Sequence, residues 1–199
     1  MTAAAPGTDL SDRARTASER AGMEPTEGER LMAKPPIPDA RLRTVFIIRH
    51  GEKPHKGPHL SETGRARARA LADLFGGCFR KPDLLIAAAN KPKSCRPVET
   101  LEPLAAALGL AIDDRFETED VDRVAAHLRQ GQVPVEGAAL IAWRHDAIPQ
   151  LARALGARNA PSKWPEHVFD RVWRLLYSAD GAVRFADLAQ SLLPGDASS

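Results

Sequence analysis

The chain has 199 residues, of which 43% are apolar and 27% charged. That length suits one domain with a sizeable core, and the composition is that of a globular protein rather than a fibre. A net charge of +2 and an aromatic content of 5% argue against a dedicated nucleic-acid binder, which needs clustered basic charge and stacking or base-reading groups.

No apolar run approaches the length needed to span a bilayer, and the start Met1-Thr2-Ala3-Ala4-Ala5-Pro6-Gly7 lacks a basic stretch followed by a secretory apolar core. The expectation is a cytoplasmic protein with no membrane partner. Cys78 and Cys95 are too few for a disulfide framework and make no metal-ligand pair by spacing, so both are expected as reduced thiols.

Residues 1–41 are rich in Ala, Pro, Gly, Thr and mixed charge, without a sustained period, and carry the breaker Pro35-Pro36-Ile37-Pro38. They predict a flexible N-terminal tail, with a folded domain over 42–199. The first apolar run, Val45-Phe46-Ile47-Ile48, is the pattern of a strand covered on both faces, and it stops abruptly at Arg49-His50-Gly51-Glu52. Arginine offers a planar fork suited to phosphate oxygens, histidine can act as a nucleophile, and glycine permits a tight turn at the strand end. In open α/β sheets that end is where ligands bind.

Two prolines and a glycine then force residues 53–60 into a loop. His50, Glu52, His55 and His59 match no zinc-binding spacing, so the loop histidines are read as solvated. Ser61 is placed as the N-cap of a helix to about Phe75, with Ala66, Ala70, Leu71 and Leu74 on one face and Gly76-Gly77 at its end. Arg65, Arg67 and Arg69 read as a solvated flank of that helix, or as a basic rim that attracts phosphate. A second buried strand over 83–89 leads through a polar loop into a helix reaching Leu108.

Residues 111–116 predict a more polar edge strand, and Glu117-Thr118-Glu119-Asp120 opens an amphipathic helix through Val121, Val124, Ala125 and Leu128. The third apolar run, 137–143, ends in Arg144-His145-Asp146 and is followed by a helix to Gly156. Two further strands, 169–177 and 182–189, are joined through Asp180-Gly181, a hairpin signal. Trp164, Phe169, Trp173 and Phe185 read as packing residues, and 191–199 as a polar tail. The alternation of buried strand and amphipathic helix predicts an α/β three-layer sandwich with a mainly parallel central sheet.

Several of these stretches, taken in order, are similar to the motifs of the histidine phosphatase superfamily, the phosphoglycerate mutase-like proteins. They are Arg49-His50-Gly51-Glu52, Leu60-Ser61-Glu62-Thr63-Gly64, the stretch from Ser94 to Thr100 with Arg96, and His145 after the third strand. The resemblance covers roughly 44–194 and is weakest after Gly156. It implies a phosphoglycerate mutase-like fold and a metal-independent phosphatase without cofactor, acting on a small phosphorylated substrate or a phosphoprotein. His50 would attack phosphorus to form a phosphohistidine, with Arg49, Arg96 and protonated His145 offsetting the charge of the phosphate. Gly51 and Lys93 would stand at the substrate.

The general acid stays open between Asp146, the group Glu117, Glu119 and Asp120, and no dedicated acid; a His145-Asp146 pair resembles the acid phosphatase and phytase branch. A phosphomutase using the same histidine and a catalytically inactive phospho-ligand or partner-binding module are the alternatives. The short 53–60 loop offers little material for a mutase lid, and two histidines with two arginines favour turnover over binding alone.

Overall fold

The computed structural model describes residues 42–130 and 137–196. The predicted tail, 1–41, lies outside the described residues, as do the last three positions. The first strand, β1 (Leu42–Arg49), shows why the sheet forms where it does. Its side chains alternate between two cores, as the period of a strand requires. Val45 and Ile47 enter one core; Phe46 and Ile48 enter the other.

Five more strands complete the sheet: β2 (Leu84–Ala88), β3 (Ile112–Phe116), β4 (Gly137–Trp143), β5 (Arg171–Tyr177) and β6 (Val183–Ala189), in the spatial order β3-β2-β4-β1-β5-β6. The pairs β1/β4, β4/β2 and β2/β3 are parallel, whereas β5 runs antiparallel to β1, and β6 antiparallel to β5. All seven residues of β4 are buried, as expected of a strand at the middle of a sheet covered on both sides. The polar segment Ile112–Phe116 stands at one edge, and the 169–189 region forms the expected hairpin, with Gly181 at φ 80° in its turn.

Four helices cover the two faces. On one side α1 (Glu62–Asp73) and α2 (Arg96–Leu108) bury Leu71, Leu101 and Leu104 against Phe46, Ile48 and Leu140. On the other, α3 (Val121–Arg129) and α4 (Ile148–Ala154) bury Val124, Leu128, Ile148 and Leu151 against Val45, Ile47 and Ile141. This is the three-layer α/β sandwich that the alternation of elements predicts. Among the described residues no helix is long and apolar enough to cross a membrane.

Two local expectations are corrected. Gly76-Gly77 does not end the helix, because a π-helical turn over Leu74–Cys78 continues it until the Phe79 N–H reaches the Leu74 carbonyl at 2.9 Å. Arg67, read as part of a solvated flank, is 3% exposed, and the buried stripe of α1 consists of Gly64, Arg67, Ala68 and Leu71. Its charge is accommodated because its guanidinium meets Glu52, Asp196 and Gln190 at 2.7–3.1 Å.

Candidate active site

The parallel strands end on one edge of the sheet, and that edge opens into a cavity of about 490 Å³. Arg49 and His50 enter it from the end of β1, Lys93, Ser94 and Arg96 from the approach to α2, and His145 from the end of β4. Three of the four motif stretches therefore meet at the carboxyl ends of neighbouring parallel strands, the place where α/β sheets bind ligands, and the fourth, Leu60 to Gly64, does not line the cavity.

His50 is 4% exposed, and its Nδ1 lies 2.7 Å from the carbonyl of Gly51. A carbonyl only accepts, so Nδ1 carries the proton and Nε2 is left with its lone pair. Burial lowers the His50 pKa to about 3, with Arg49, Arg96 and His145 adding in the same direction against the Gly51 carbonyl. The ring is thus held neutral and in one tautomer. The backbone beneath it is fixed as well: the His50 N–H donates to the Trp143 carbonyl (3.0 Å) and the Gly51 N–H to Thr100 Oγ1 (2.9 Å).

Gly51 does not line the cavity. A Cβ there would stand 2.9 Å from the Gly64 carbonyl oxygen, and one on Gly64 would stand 2.4 Å from that of Glu52. The two glycines let the end of β1 and the start of α1 touch, which aims the His50 backbone; that is the role of Gly51 in place of the expected substrate contact. The Ser61 Oγ caps the same helix start by accepting from the Gly64 N–H at 3.0 Å, as its position predicts.

Arg49 is 1% exposed and has no bonded carboxylate among the described residues. Its Nη1 donates to the backbone carbonyls of Glu166 and Val168, and the Phe169 ring lies 3.7 Å from the guanidinium carbon. Phe169, read as a packing residue, is therefore a stacking platform for this cation. Nε and Nη2 of Arg49 are buried without a hydrogen-bond partner, and so are Nε of Arg96 and Oγ of Ser94. Burial lowers the Arg49 pKa to about 10, which leaves the side chain charged at neutral pH. Four orphaned polar atoms on three residues of one cavity wall are what an anion with several oxygens would satisfy. Ser94 was within the recognised motif, but nothing in its spacing singled out its hydroxyl.

Arg96 opens α2, and its Nη1 donates to the carbonyls of Gly57 and Pro58 at 3.1 Å each, so the 53–60 loop steadies it. Its pKa is lowered by burial and by Arg144. Burial and Arg49 also hold His145 below the ordinary histidine value, opposed by Asp146 and Glu166. The protein's own charges thus work against the protonated His145 that the resemblance implies. A phosphate dianion between His145 and Arg49 would act the other way and favour the imidazolium.

None of the proposed acids lines the cavity. Asp146 is exposed and bound to Arg144 Nη2 at 2.7 Å; Glu117 and Glu119 hold Lys91 Nζ at 3.0 and 3.2 Å; Asp120 pairs with Arg123 at 2.8 Å. Among the described residues no Asp or Glu lines the cavity. The sequence could not show this, because the first residue beyond a strand end can turn either way.

No protein-family model matches the chain, and no curated protein matches its sequence. Solved structures do resemble its fold. The protein histidine phosphatase SixA, solved with tungstate, has a TM-score of 0.53 at 20% identity, covering 74% of this chain and 97% of that one. Phosphoglycerate mutase from Plasmodium falciparum has a TM-score of 0.53 at 14% identity, covering 78% and 96%. Phosphoserine phosphatase from Entamoeba histolytica, in complex with 3-phosphoglyceric acid, has 0.50 at 12% identity, covering 75% and 99%. At such identities the likeness is one of fold alone.

Proposed function

We propose that this chain is a metal-independent phosphatase that hydrolyses phosphate monoesters, or a phosphohistidine substrate, through a covalent phosphohistidine on His50. The observation that carries the reading is the fixed neutral tautomer of His50, which leaves Nε2 its lone pair in the cavity that His50 shares with unpartnered donors of Arg49 and Arg96. A phosphate ester repels nucleophiles and hydrolyses very slowly unaided, so a site must offset its charge and hold an attacking atom in line.

Arg49 and Arg96 would take the non-bridging oxygens through their free N–H groups, with Ser94 and His145 completing the cradle. The Nε2 lone pair of His50 forms the bond to phosphorus as the bond to the leaving atom breaks. Water then attacks the same phosphorus, the nitrogen–phosphorus bond breaks, phosphate departs and a proton passes to solvent, returning the ring to its starting form. Because no carboxylate among the described residues lines the cavity, leaving groups that need little protonation are favoured. Aryl phosphates and the imidazole of a phosphohistidine meet that condition better than an alkyl alcohol. Hydrolysis rather than mutase transfer fits the short 53–60 loop, which Arg96 holds open against α2. Two free thiols, one of them the exposed Cys78, fit a reducing cytoplasm.

The test is a rapid-quench experiment with p-nitrophenyl phosphate and a phosphohistidine protein in the presence of chelator, with alkaline work-up to preserve the labile nitrogen–phosphorus bond. Label should map to His50, and His50→Ala should lose both label and turnover. Label elsewhere, or activity removed by the chelator, refutes the mechanism.

A further inference from the structure

At the base of the loop gripped by Arg96, three side chains of different chemistry converge. His59 closes that loop, Cys95 is the residue before α2, and Glu99 lies in the first turn of α2; one ligating atom of each lies within 4.8 Å of the others. Among the described residues this is the only such trio.

The backbone around it is already tied together. The Cys95 N–H donates to the Pro58 carbonyl (3.0 Å), and Glu99 Oε2 accepts from the Leu60 N–H (2.8 Å) while Oε1 is hydrogen-bonded to His59 Nδ1. Cys95 is a free, half-buried thiol, and its only hydrogen-bond partner among the described residues is the Lys91 carbonyl, at the long distance of 4.0 Å. The sequence hid the trio, since His59 belongs to a different segment and joins the other two only in space.

We infer that His59, Cys95 and Glu99 form a binding site for a zinc-type divalent cation, separate from the phosphate cavity. An imidazole nitrogen, a thiolate and a carboxylate are a donor set that Zn²⁺ accepts, whereas Mg²⁺ and Ca²⁺ take oxygen ligands. With ordinary zinc bond lengths, donors at tetrahedral angles stand roughly 3.4–3.5 Å apart. The present separations, none above 4.8 Å, reach that value by shifts of about an ångström, with the His59 Nδ1–Glu99 Oε1 pair opening from 2.5 Å, and His59, whose side chain is 65% exposed, is free to move. Binding displaces the thiol proton of Cys95 to solvent, so thiolate and carboxylate together balance the two charges of the ion. A fourth position remains for water. Arg65, which flanks the same hollow, is turned to the Leu60 carbonyl at 2.7 Å. The Pro58 carbonyl accepts from both Cys95 and Arg96, so a cation joining His59 to Cys95 clamps the stretch that steadies Arg96.

The test uses the full chain, reduced with a phosphine, stripped by chelator and titrated first with Co²⁺ and then with Zn²⁺. One Co²⁺ per chain should bind with a thiolate-to-cobalt charge-transfer band in the near ultraviolet, and Zn²⁺ should displace it. Cys95→Ser should abolish the band and Cys78→Ser keep it. His59→Ala should weaken binding by more than the roughly 10- to 100-fold that loss of an outer-shell partner costs. Far-ultraviolet circular dichroism checks that each variant is folded. A cobalt spectrum without the band, or a band that survives Cys95→Ser, overturns the proposal. Phosphatase turnover by the stripped chain is read separately: its loss would refute the metal-independent mechanism while leaving the zinc site standing.

Discussion

Replacing Arg67 with methionine should expose how much of the fold rests on one buried cation. The side chain is 3% exposed, and its Nη2 lies 2.7 Å from both Glu52 and Asp196. Asp196 also accepts from the Leu192 and Leu193 N–H groups, so it cannot swing out to water without undoing that turn. Removing one member of a buried ion pair strands the others and costs about 3–5 kcal/mol, because the remaining charge keeps its desolvation penalty without its partner. Glu52 keeps some access to water, which favours the lower half of that range. In a chain of this size each kcal/mol is worth about 2–4 °C, so the melting temperature at pH 7 should fall by about 6–20 °C. The hydrogen bonds from Arg67 hold the Asp196 pKa at about 2, below its ordinary 3.8. That stabilisation is present above 3.8 and is lost as pH falls toward 2. In the variant the stranded carboxylates take up protons earlier, so the gap between the two proteins should narrow from pH 7 to pH 4. Urea denaturation at both pH values measures it. A loss under about 1 kcal/mol at neutral pH, or a gap that widens in acid, would refute the reasoning.

The catalytic cradle predicts that Arg96→Ala lowers kcat/KM for p-nitrophenyl phosphate by about 10²–10³, as removal of one donor to a developing anion does elsewhere; a loss under tenfold would take Arg96 out of the phosphate site. His50 titrates near pH 3 in the folded protein against 6.5 for an ordinary histidine, so below pH 6.5 the unfolded chain binds a proton that the folded chain refuses. Stability should therefore decline by about 2–3 kcal/mol from pH 7 to pH 4.5 on account of this residue alone, and thermal melts of His50→Gln should lack that component. Asp146→Asn should leave the hydrolysis of both alkyl and p-nitrophenyl phosphates little changed and stability within about 0.5 kcal/mol, since its carboxylate is an exposed partner of Arg144. Selective slowing of the alkyl ester would restore Asp146 as the acid.

The parts legible in the sequence are those where burial leaves a run rather than a period. Val45 to Ile48 and the stretch ending at Trp143 are covered on both faces, so neither run contains a polar residue to confuse the reading. Each stops at the cavity, which is why the histidine and arginine that follow are visible as site residues. Arg67 was misread for the complementary reason. A charged residue on a helix counts as exposed until its partners are known, and these lie 15 positions earlier, at Glu52, and 129 later, at Asp196. Phe169 looked like one more packing aromatic, because its function depends on which cation lies over it. The acids failed on placement: Asp146 and Glu117 have the right chemistry and the right neighbourhood, but each is tied to a rim cation, Arg144 or Lys91, and neither lines the cavity itself.

The distribution of charge over the site carries a further consequence for how it holds phosphate. At the rim, Lys53, Lys91 and Arg144 are each bound to a carboxylate, Glu166, Glu117 with Glu119, and Asp146 respectively, at 2.7–3.3 Å. Such exposed pairs cancel one another and are screened by salt. At the floor, Arg49 bonds among the described residues only to carbonyls, which engage Nη1 without neutralising its charge. The attraction for an anion therefore originates mainly below the surface, where mobile ions do not reach, and Lys93, exposed and without a carboxylate partner among the described residues, is the rim's remaining cation. Competitive inhibition by inorganic phosphate at fixed pH should accordingly change less than about tenfold between 0.05 and 0.5 M sodium chloride, whereas a site that relied on exposed lysines would lose affinity steeply over that range. Inhibition constants measured at several salt concentrations decide between the two, and a steep loss would mean that the rim, and not Arg49, supplies the field.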